Sequence, residues 1–247
     1  KKKKKNLCFF LKKNYYEKNK NLKKIIKNPV VIMAGGFGKR LGNLTKKTPK
    51  AMLRFEGKPL LEHILLNAIN KNFKNFYFSV FYLKEKIKRY FGNGHRYGIN
   101  IRYIEENKPL GTIGALKYLN KVNNDFILTN CDVVTNTDFK DILKFHKSNK
   151  SFLTIAVKQF TYKNPYGVIN SKGKRFVSFE EKPEIDFRIN AGIYVFKPEV
   201  IKIIKKNNFK QINEIVDYIS LKKYKILLFP LYEHWLDLGS TKNKLIE

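Results

Sequence analysis

The sequence predicts a three-layer α/β/α sandwich around a mostly parallel, mixed sheet, and three observations carry that prediction. Val30 to Ala34 is an unbroken apolar run that opens directly into Gly35-Gly36-Phe37-Gly38, as expected of a strand buried on both faces in a parallel sheet. From there to His146, strand-like and helix-like segments alternate, the pattern of right-handed β-α-β crossovers. The chain has 247 residues, 43% of them hydrophobic, enough for one α/β domain with a substantial core, though two are possible.

Each segment can be justified in order. Residues 1–28 are rich in Lys and Asn, with Phe9, Phe10, Leu11, Tyr15 and Tyr16 in no clear period, and read as a basic tail or linker, the stub of something upstream. A single domain is expected over 29–247. Pro59 opens a helix on which Leu60, Leu61, Ile64, Leu65, Ala68 and Ile69 recur every three to four residues, with His63 inside it as a packing residue. Phe76 to Leu83 is strand-like, Lys84 to Phe91 is a short basic helix ended by Gly92-Asn93-Gly94, and Ile99 to Ile104 is the next strand. Leu110 to Leu116 reads as a Gly-rich helix start, and Phe126 to Thr129 as a buried strand running into Asn130-Cys131-Asp132. Asp138 is expected to N-cap a helix carrying Phe139, Ile142, Leu143 and His146 at helical spacing. The second half is richer in strands: Phe152–Val157, Tyr166–Asn170, Phe176–Phe179, Gly192–Phe196, Tyr224–Phe229 and Trp235–Leu238, with a hairpin turn over Ser171–Lys174. Helices are expected near Pro198–Lys205 and Asn213–Leu221. No internal repeat is present.

Composition narrows the class of function. Lys and Arg total 51 against 20 acids, a net charge of +31, which raises nucleic-acid binding as a reading. Against it, the lysines are spread over the whole chain among abundant Asn, Ile, Phe and Tyr, as an AT-rich coding bias produces on an ordinary fold. No RNA-binding signature or zinc-finger spacing occurs. Weak, salt-sensitive adhesion to polyanions is expected, but no specific nucleic-acid partner. No apolar run approaches a membrane span and no secretory signal is visible, so no membrane partner is expected. The two cysteines, Cys8 and Cys131, lack metal-ligand spacing, and a reducing cytoplasm is the expected location.

The glycine turn after the first strand lets backbone N–H groups approach an anion, and Lys39 and Arg40 supply fixed cations at once. That is how a site for phosphate groups is built. It is not a Walker loop, because Arg40 follows Lys39 where Ser or Thr is required, and not a dinucleotide loop, because the third glycine falls one residue late, at Gly42. What remains is G-G-x-G-x-R-L leading to Pro49-Lys50. This closely resembles the signature loop of the sugar-phosphate nucleotidylyltransferases, in particular the mannose-1-phosphate guanylyltransferase type.

The resemblance extends over about residues 29–240 and implies a Rossmann-like domain of the nucleotide-diphospho-sugar transferase type. It further implies transfer of a nucleotidyl group from a nucleoside triphosphate to a sugar 1-phosphate, with pyrophosphate released. It puts Arg40 and Lys50 on the phosphates, and Ala34, Gly35, Gly36 and Gly38 in the nucleotide loop. A Mg2+ ion would be held by Asp132 and Asp237: Trp235-Leu236-Asp237-Leu238-Gly239 matches the family's W-x-D-x-G, while Cys131 stands where Gly usually precedes the first metal Asp and could crowd the nucleotide. Tyr166-Gly167, Glu181-Lys182 and Asn190 match elements on the sugar side. Gly111 and Thr112 fall in the L-G-T-x-G-A-L segment along the nucleoside. The attacking phosphate monoester, with its second pKa of about 6, is already ionised at neutral pH, so no general base is required. His63, His95, His146 and His234 accordingly fall outside every motif.

Glu106 stands where pyrimidine-specific relatives commonly carry Gln. A carboxylate only accepts hydrogen bonds, and guanine offers a parallel N1–H and N2–H pair, so GTP is the expected donor. The alternatives are a thymidylyl- or uridylyltransferase of the same fold, or a non-catalytic regulatory subunit. A homo-oligomer is compatible with the resemblance.

Overall fold

The computed structural model describes residues 25–239. Cys8 and the tail expected over 1–28, as far as residue 24, lie outside the described residues. The remainder of that segment belongs to the fold: Ile26 bridges to Phe73 in parallel, and Asn28 is buried, its side-chain N–H donating to the Asp125 carbonyl at 2.6 Å.

Thirteen strands are described. In the first half they are β1 (Val30–Met33), β2 (Arg54–Phe55), β3 (Lys58–Pro59), β4 (Asn75–Val80), β5 (Asn100–Glu105), β6 (Phe126–Asn130) and β7 (Val133–Thr135). The second half adds β8 (Leu153–Lys163), β9 (Val168–Lys172), β10 (Arg175–Glu180), β11 (Glu184–Phe196), β12 (Ile226–Leu231) and β13 (Trp235–Asp237). Seven of them form the central sheet in the order β12-β8-β11-β6-β1-β4-β5. Every neighbouring pair is parallel except those made by β11, which runs antiparallel to both β6 and β8. The sheet is therefore mixed and mostly parallel, as the sequence predicts.

Alternation along the strands divides the apolar side chains between two layers of helices. Val30, Ile32 and Ile127 pack in one core with Leu61, Ile64 and Leu65 of helix α1 (Leu60–Asn70), Ile87 and Phe91 of α2 (Lys84–Phe91), and Phe139, Ile142 and Leu143 of α3 (Phe139–Ser148). Val31 and Leu128 point the other way, into a core with Val200 and Ile204 of α4 (Val200–Asn207) and Ile215 and Ile219 of α5 (Ile212–Leu221). Asp138 caps α3 as expected, its carboxylate accepting from the Lys140 N–H. His63 is held within the fold, a ring nitrogen 2.7 Å from the Phe55 carbonyl.

The segment expected to start a helix at Leu110 does not make an α-helix. Only a 3-10 turn forms, over Gly114–Tyr118. Gly111 has φ +74° and its Cα abuts the backbone of Lys210 and the Gln211 amide, and the Ile113 N–H donates outward to the Lys210 carbonyl at 3.0 Å. Tertiary contacts thus take the backbone groups that a helix would have used. The sequence also gave no sign of β7, of the β2–β3 hairpin, or of the length of β8 and β11. Those two strands run on past the sheet as a ribbon paired from Lys163–Glu184 to Lys158–Ile189.

Candidate active site

The parallel strands β1, β4 and β6 deliver their C-terminal ends to one edge of the sheet, where open α/β folds bind ligands. There a cleft of about 310 Å³ is lined by Gly35, Gly36, Arg40, Lys50, Glu106, Gly111, Thr112 and Asp132. The glycine loop, both cations, the first acidic residue and the 106–112 segment therefore meet in one place. The loop after β1 winds into a 3-10 helix over Lys39–Thr45, which carries Arg40, exposed, to the rim. A second short 3-10 turn beginning at Lys50 follows Pro49, and Lys50 reaches across to form an ion pair with Asp132 that is largely withdrawn from solvent.

Asp237 arrives from the far end of the sequence. Strand β13 pairs antiparallel with β7 so that Asp237 faces Val133, and the Leu238 N–H donates to the Asp132 carbonyl at 3.0 Å. Asp237 then turns its Oδ1 back onto the Gly239 N–H at 2.8 Å. Gly239 marks the point of convergence. A methyl group at its Cα would press on Asp132 Oδ2, lie 2.6 Å from Lys50 Nζ and 3.0 Å from Asp237 Oδ1. Two carboxylates and an ammonium thus surround one spot that only glycine leaves open.

Glu106 is buried, and each oxygen of its carboxylate accepts one hydrogen bond. Oε1 accepts from the Ser79 hydroxyl at 2.5 Å and Oε2 from the Leu110 N–H at 2.9 Å. Burial pushes its carboxyl above the usual range, and the two hydrogen bonds oppose that rise. Gly35 lies directly against it, with no room for a Cβ beside Oε1. Glu106 therefore forms the floor of the cleft and fixes the turn at Leu110. Thr112 accepts at Oγ1 from the Ile212 N–H at 2.9 Å, which ties the nucleotide segment to the N-terminus of α5.

The other expected residues sit outside the cleft lining. Ala34 is buried, its N–H donating to the Ser79 carbonyl, and Gly38 lies under the loop, its carbonyl accepting from the Leu41 N–H. Asn190 accepts from the Gly192 N–H and donates to the Tyr194 hydroxyl. It adjoins the cleft through Gly192, which packs on Asn130, a lining residue. The Trp235 indole N–H donates to the Ala191 carbonyl at 2.9 Å, so the segments carrying Asn190 and Asp237 are joined. Tyr166, Gly167, Glu181 and Lys182 lie together on the β9–β10 hairpin and its flanks, exposed, with Glu181 Oε2 against Gly167.

Cys131 lines the cleft, yet it is buried within the first core, and burial pushes its thiol up to about 12. The side chain is 5% exposed and packs with the first core while also lining the cleft. Residues not singled out from sequence include Ser79, the partner of Glu106, and Phe37, which packs edge-on against Phe81 at 5.4 Å on the rim. A lone hydroxyl inside the apolar run Phe76–Val80 was the available signal for Ser79.

Residues 29–246 match the nucleotidyl transferase family. The chain belongs to that family. Among its relatives, a mannose-1-phosphate guanyltransferase of Yarrowia lipolytica is 32% identical over 231 residues, covering 87% of this chain and 61% of the relative. The Saccharomyces cerevisiae mannose-1-phosphate guanyltransferase is 32% identical over 228 residues, with 87% and 62% coverage. The chain thus spans about three-fifths of the length of these relatives. Among solved structures, HddC from Yersinia pseudotuberculosis, complexed with GMP-PN, superposes with a TM-score of 0.65 at 24% identity, over 88% of this chain and 96% of that one. A putative glucose-1-phosphate thymidylyltransferase from Bacillus anthracis gives 0.70 at 20% identity, over 86% and 90%. These superpositions establish the family's fold for this chain. Among the described residues no helix is long and apolar enough to cross a membrane.

Proposed function

We propose that this family member transfers a nucleotidyl group, GMP from GTP, to a sugar 1-phosphate. An oxygen of the sugar phosphate attacks the α-phosphorus, the bond from that phosphorus to the bridging oxygen of the β-phosphate breaks, and pyrophosphate leaves with the bonding electrons. The products are a nucleoside-diphosphate sugar and pyrophosphate. The observation that carries this reading is the meeting of Lys50, Asp132 and Asp237 around Gly239, beside Arg40 and the glycine loop.

Such a reaction asks the protein for charge neutralisation and alignment rather than for a base. Arg40 at the rim is suited to the outer phosphates, where charge accumulates on the leaving group, and Lys50 to the α-phosphate. Glycine backbone N–H groups at 35–36 add donors for phosphate oxygens. Asp132 and Asp237 fit Mg2+. Among the described residues no group of three or more His, Cys, Asp or Glu is placed to hold a metal, but Mg2+ commonly takes one or two carboxylates and completes its shell with phosphates and water. When bound, the ion would neutralise phosphate charge as a Lewis acid. Tyr166, Gly167, Glu181, Lys182 and Asn190 are assigned to the sugar phosphate, with Lys182 as its counter-charge.

The guanylyl assignment rests on Glu106 and on the names of the relatives near 32% identity. Each Glu106 oxygen keeps a second lone pair beyond the bonds from Ser79 and Leu110, and these are the acceptors for a guanine edge. The test is turnover of GTP, dTTP, UTP and CTP against a panel of sugar 1-phosphates with Mg2+ and with chelator. GTP-dependent pyrophosphate release, lost on chelation, is expected. A clear preference for dTTP or UTP overturns the guanylyl assignment, and no release with any pair overturns the activity.

A further inference from the structure

Asp132 and Asp237 each turn one oxygen toward the same point. A methyl group built on Gly239 would press on Asp132 Oδ2 and lie 3.0 Å from Asp237 Oδ1. The Lys50 ammonium already stands there, 2.6 Å from the same methyl position. It donates to Asp132 Oδ2 itself, the oxygen on the side of Asp237. Asp237 Oδ1 is oriented by a backbone donor, the Gly239 N–H at 2.8 Å. The paired side chains are only 14% and 9% exposed, so water does little to neutralise the carboxylate. A charge withdrawn in this way needs an opposite charge in contact with it. Lys50 supplies that charge at the point where a divalent ion would bridge the two acids.

Lys50 can leave without disturbing the fold. Its backbone opens the short 3-10 turn Lys50–Met52, where Ala51 and Leu53 are fully buried and anchor the chain. The ammonium is a compact point charge on a flexible four-carbon stem, so it changes partners by rotation of that stem alone. Lys50 lines the same cleft as Arg40, Gly35 and Gly36, which brings phosphate oxygens held there within its reach. Mg2+ has no comparable second choice of protein ligand, because it binds through one or two carboxylates. An ion on Asp132 Oδ2 and an ammonium on the same oxygen repel strongly where water is scarce. One of them has to go.

We propose that Lys50 is a placeholder for the divalent ion, a role that presupposes nucleotidyl transfer at this site. In the nucleotide-free protein its ammonium holds the point between Asp132 and Asp237. It gives that point up when the ion binds and moves to a phosphate oxygen of the nucleotide. The nucleotide-free protein therefore binds metal weakly, since the apparent dissociation constant is the intrinsic one divided by the fraction of molecules in which Asp132 is free. A triphosphate that draws Lys50 away raises this fraction, so nucleotide and ion strengthen one another's binding.

The experiment is Mn2+ binding to the nucleotide-free chain, followed by electron paramagnetic resonance of the unbound ion, a readout independent of turnover. Lys50→Met should bind Mn2+ about tenfold or more tightly than the unmodified chain, the factor that applies when roughly nine molecules in ten hold the pair closed. Adding Asp132→Asn to Lys50→Met should abolish that gain. A second readout needs no variant and so survives any misfolding. Acylation of Lys50 by an activated ester, mapped by peptide mass spectrometry, should speed up in millimolar Mn2+ as the ammonium leaves its sheltered partner, and slow again when GTP is added. Mn2+ binding by a folded Lys50→Met chain that is no tighter, a gain that survives Asp132→Asn, or acylation indifferent to Mn2+ overturns the proposal. Lys50 that stays reactive with GTP present overturns its move to phosphate. Failure of the turnover panel with the Mn2+ results intact strikes the activity and leaves the displacement standing.

Discussion

Lys50 and Asp132 are already paired, and the space Gly239 leaves open is what lets Asp237 join them. Gly239 is buried and a methyl group there would press on all three, so Gly239→Ala should cut kcat at least about tenfold. Lys50→Ala should cost about 10²–10³ in kcat, the usual effect of removing one preorganised charge-stabilising donor. Steady-state kinetics beside a thermal melt separates both from unfolding. Glu106→Gln tests the base reader. The amide can still accept from Leu110 and donate to Ser79, so the fold should hold. The loss of a charged acceptor, about 1.5–3 kcal/mol, should lower kcat/KM for GTP roughly 10- to 100-fold while leaving dTTP and UTP less affected. Because burial raises the Glu106 carboxyl, the folded state holds its proton to higher pH than the unfolded chain, and stability declines as pH rises from the ordinary carboxylate value through the raised one. Glu106→Gln should remove that decline in urea melts taken across the range. The acidic pair was legible from sequence because each Asp lies in a recognisable local pattern. The Ser79–Glu106 bond was not, because it joins the ends of β4 and β5 and depends on their register.

Two elements carry buried or cleft-side polar contacts that can be tested one at a time. Thr112 holds the Ile212 N–H at the start of α5, so Thr112→Val, which keeps the shape and removes the acceptor, should cost about 1 kcal/mol of stability, the usual size of a lost cap. It should also raise KM for the nucleotide, because the same residue lines the cleft. On α3, His146 is fully buried, with Nδ1 2.9 Å from the Thr154 hydroxyl and Nε2 4.0 Å from Asp125. Burial, with Lys197 and Lys147 nearby, pulls its pKa down to about 4. Between pH 6.5 and about 4 the unfolded chain therefore takes up a proton that the native protein refuses, and stability falls as pH is lowered, by on the order of 3 kcal/mol. Asp125, whose carboxyl burial pushes up, works in the opposite direction at the acid end. His146→Gln should flatten the slope between pH 6.5 and 4 in chemical denaturation. Helical spacing placed His146 on the inner face of α3 correctly. The same kind of reasoning failed at Leu110–Leu116, where Gly111 and the Lys210 carbonyl redirect the backbone.

The net charge of +31 belongs to the whole molecule and to no single site. Binding to heparin or duplex DNA should be measurable at low salt and fall steeply, by orders of magnitude, between about 50 and 200 mM salt, with no sequence preference. Retained, sequence-selective binding at physiological salt would contradict the expectation that nucleic acid is not a specific partner.

The sequence by itself determined the layered α/β architecture, the glycine loop with Arg40 and Lys50, and the identity of the two acidic residues. The layers follow from periodicity, which is read locally, and the site residues from short motifs that resemble the family's. Only the tertiary structure decided that Asp237 reaches Asp132, through the pairing of β13 with β7. It alone buried Glu106 under Ser79 and left one face of the β8–β11 ribbon bare. Each of those outcomes turns on strand register between distant segments, and a shift of one residue in register would send every side chain to the other face.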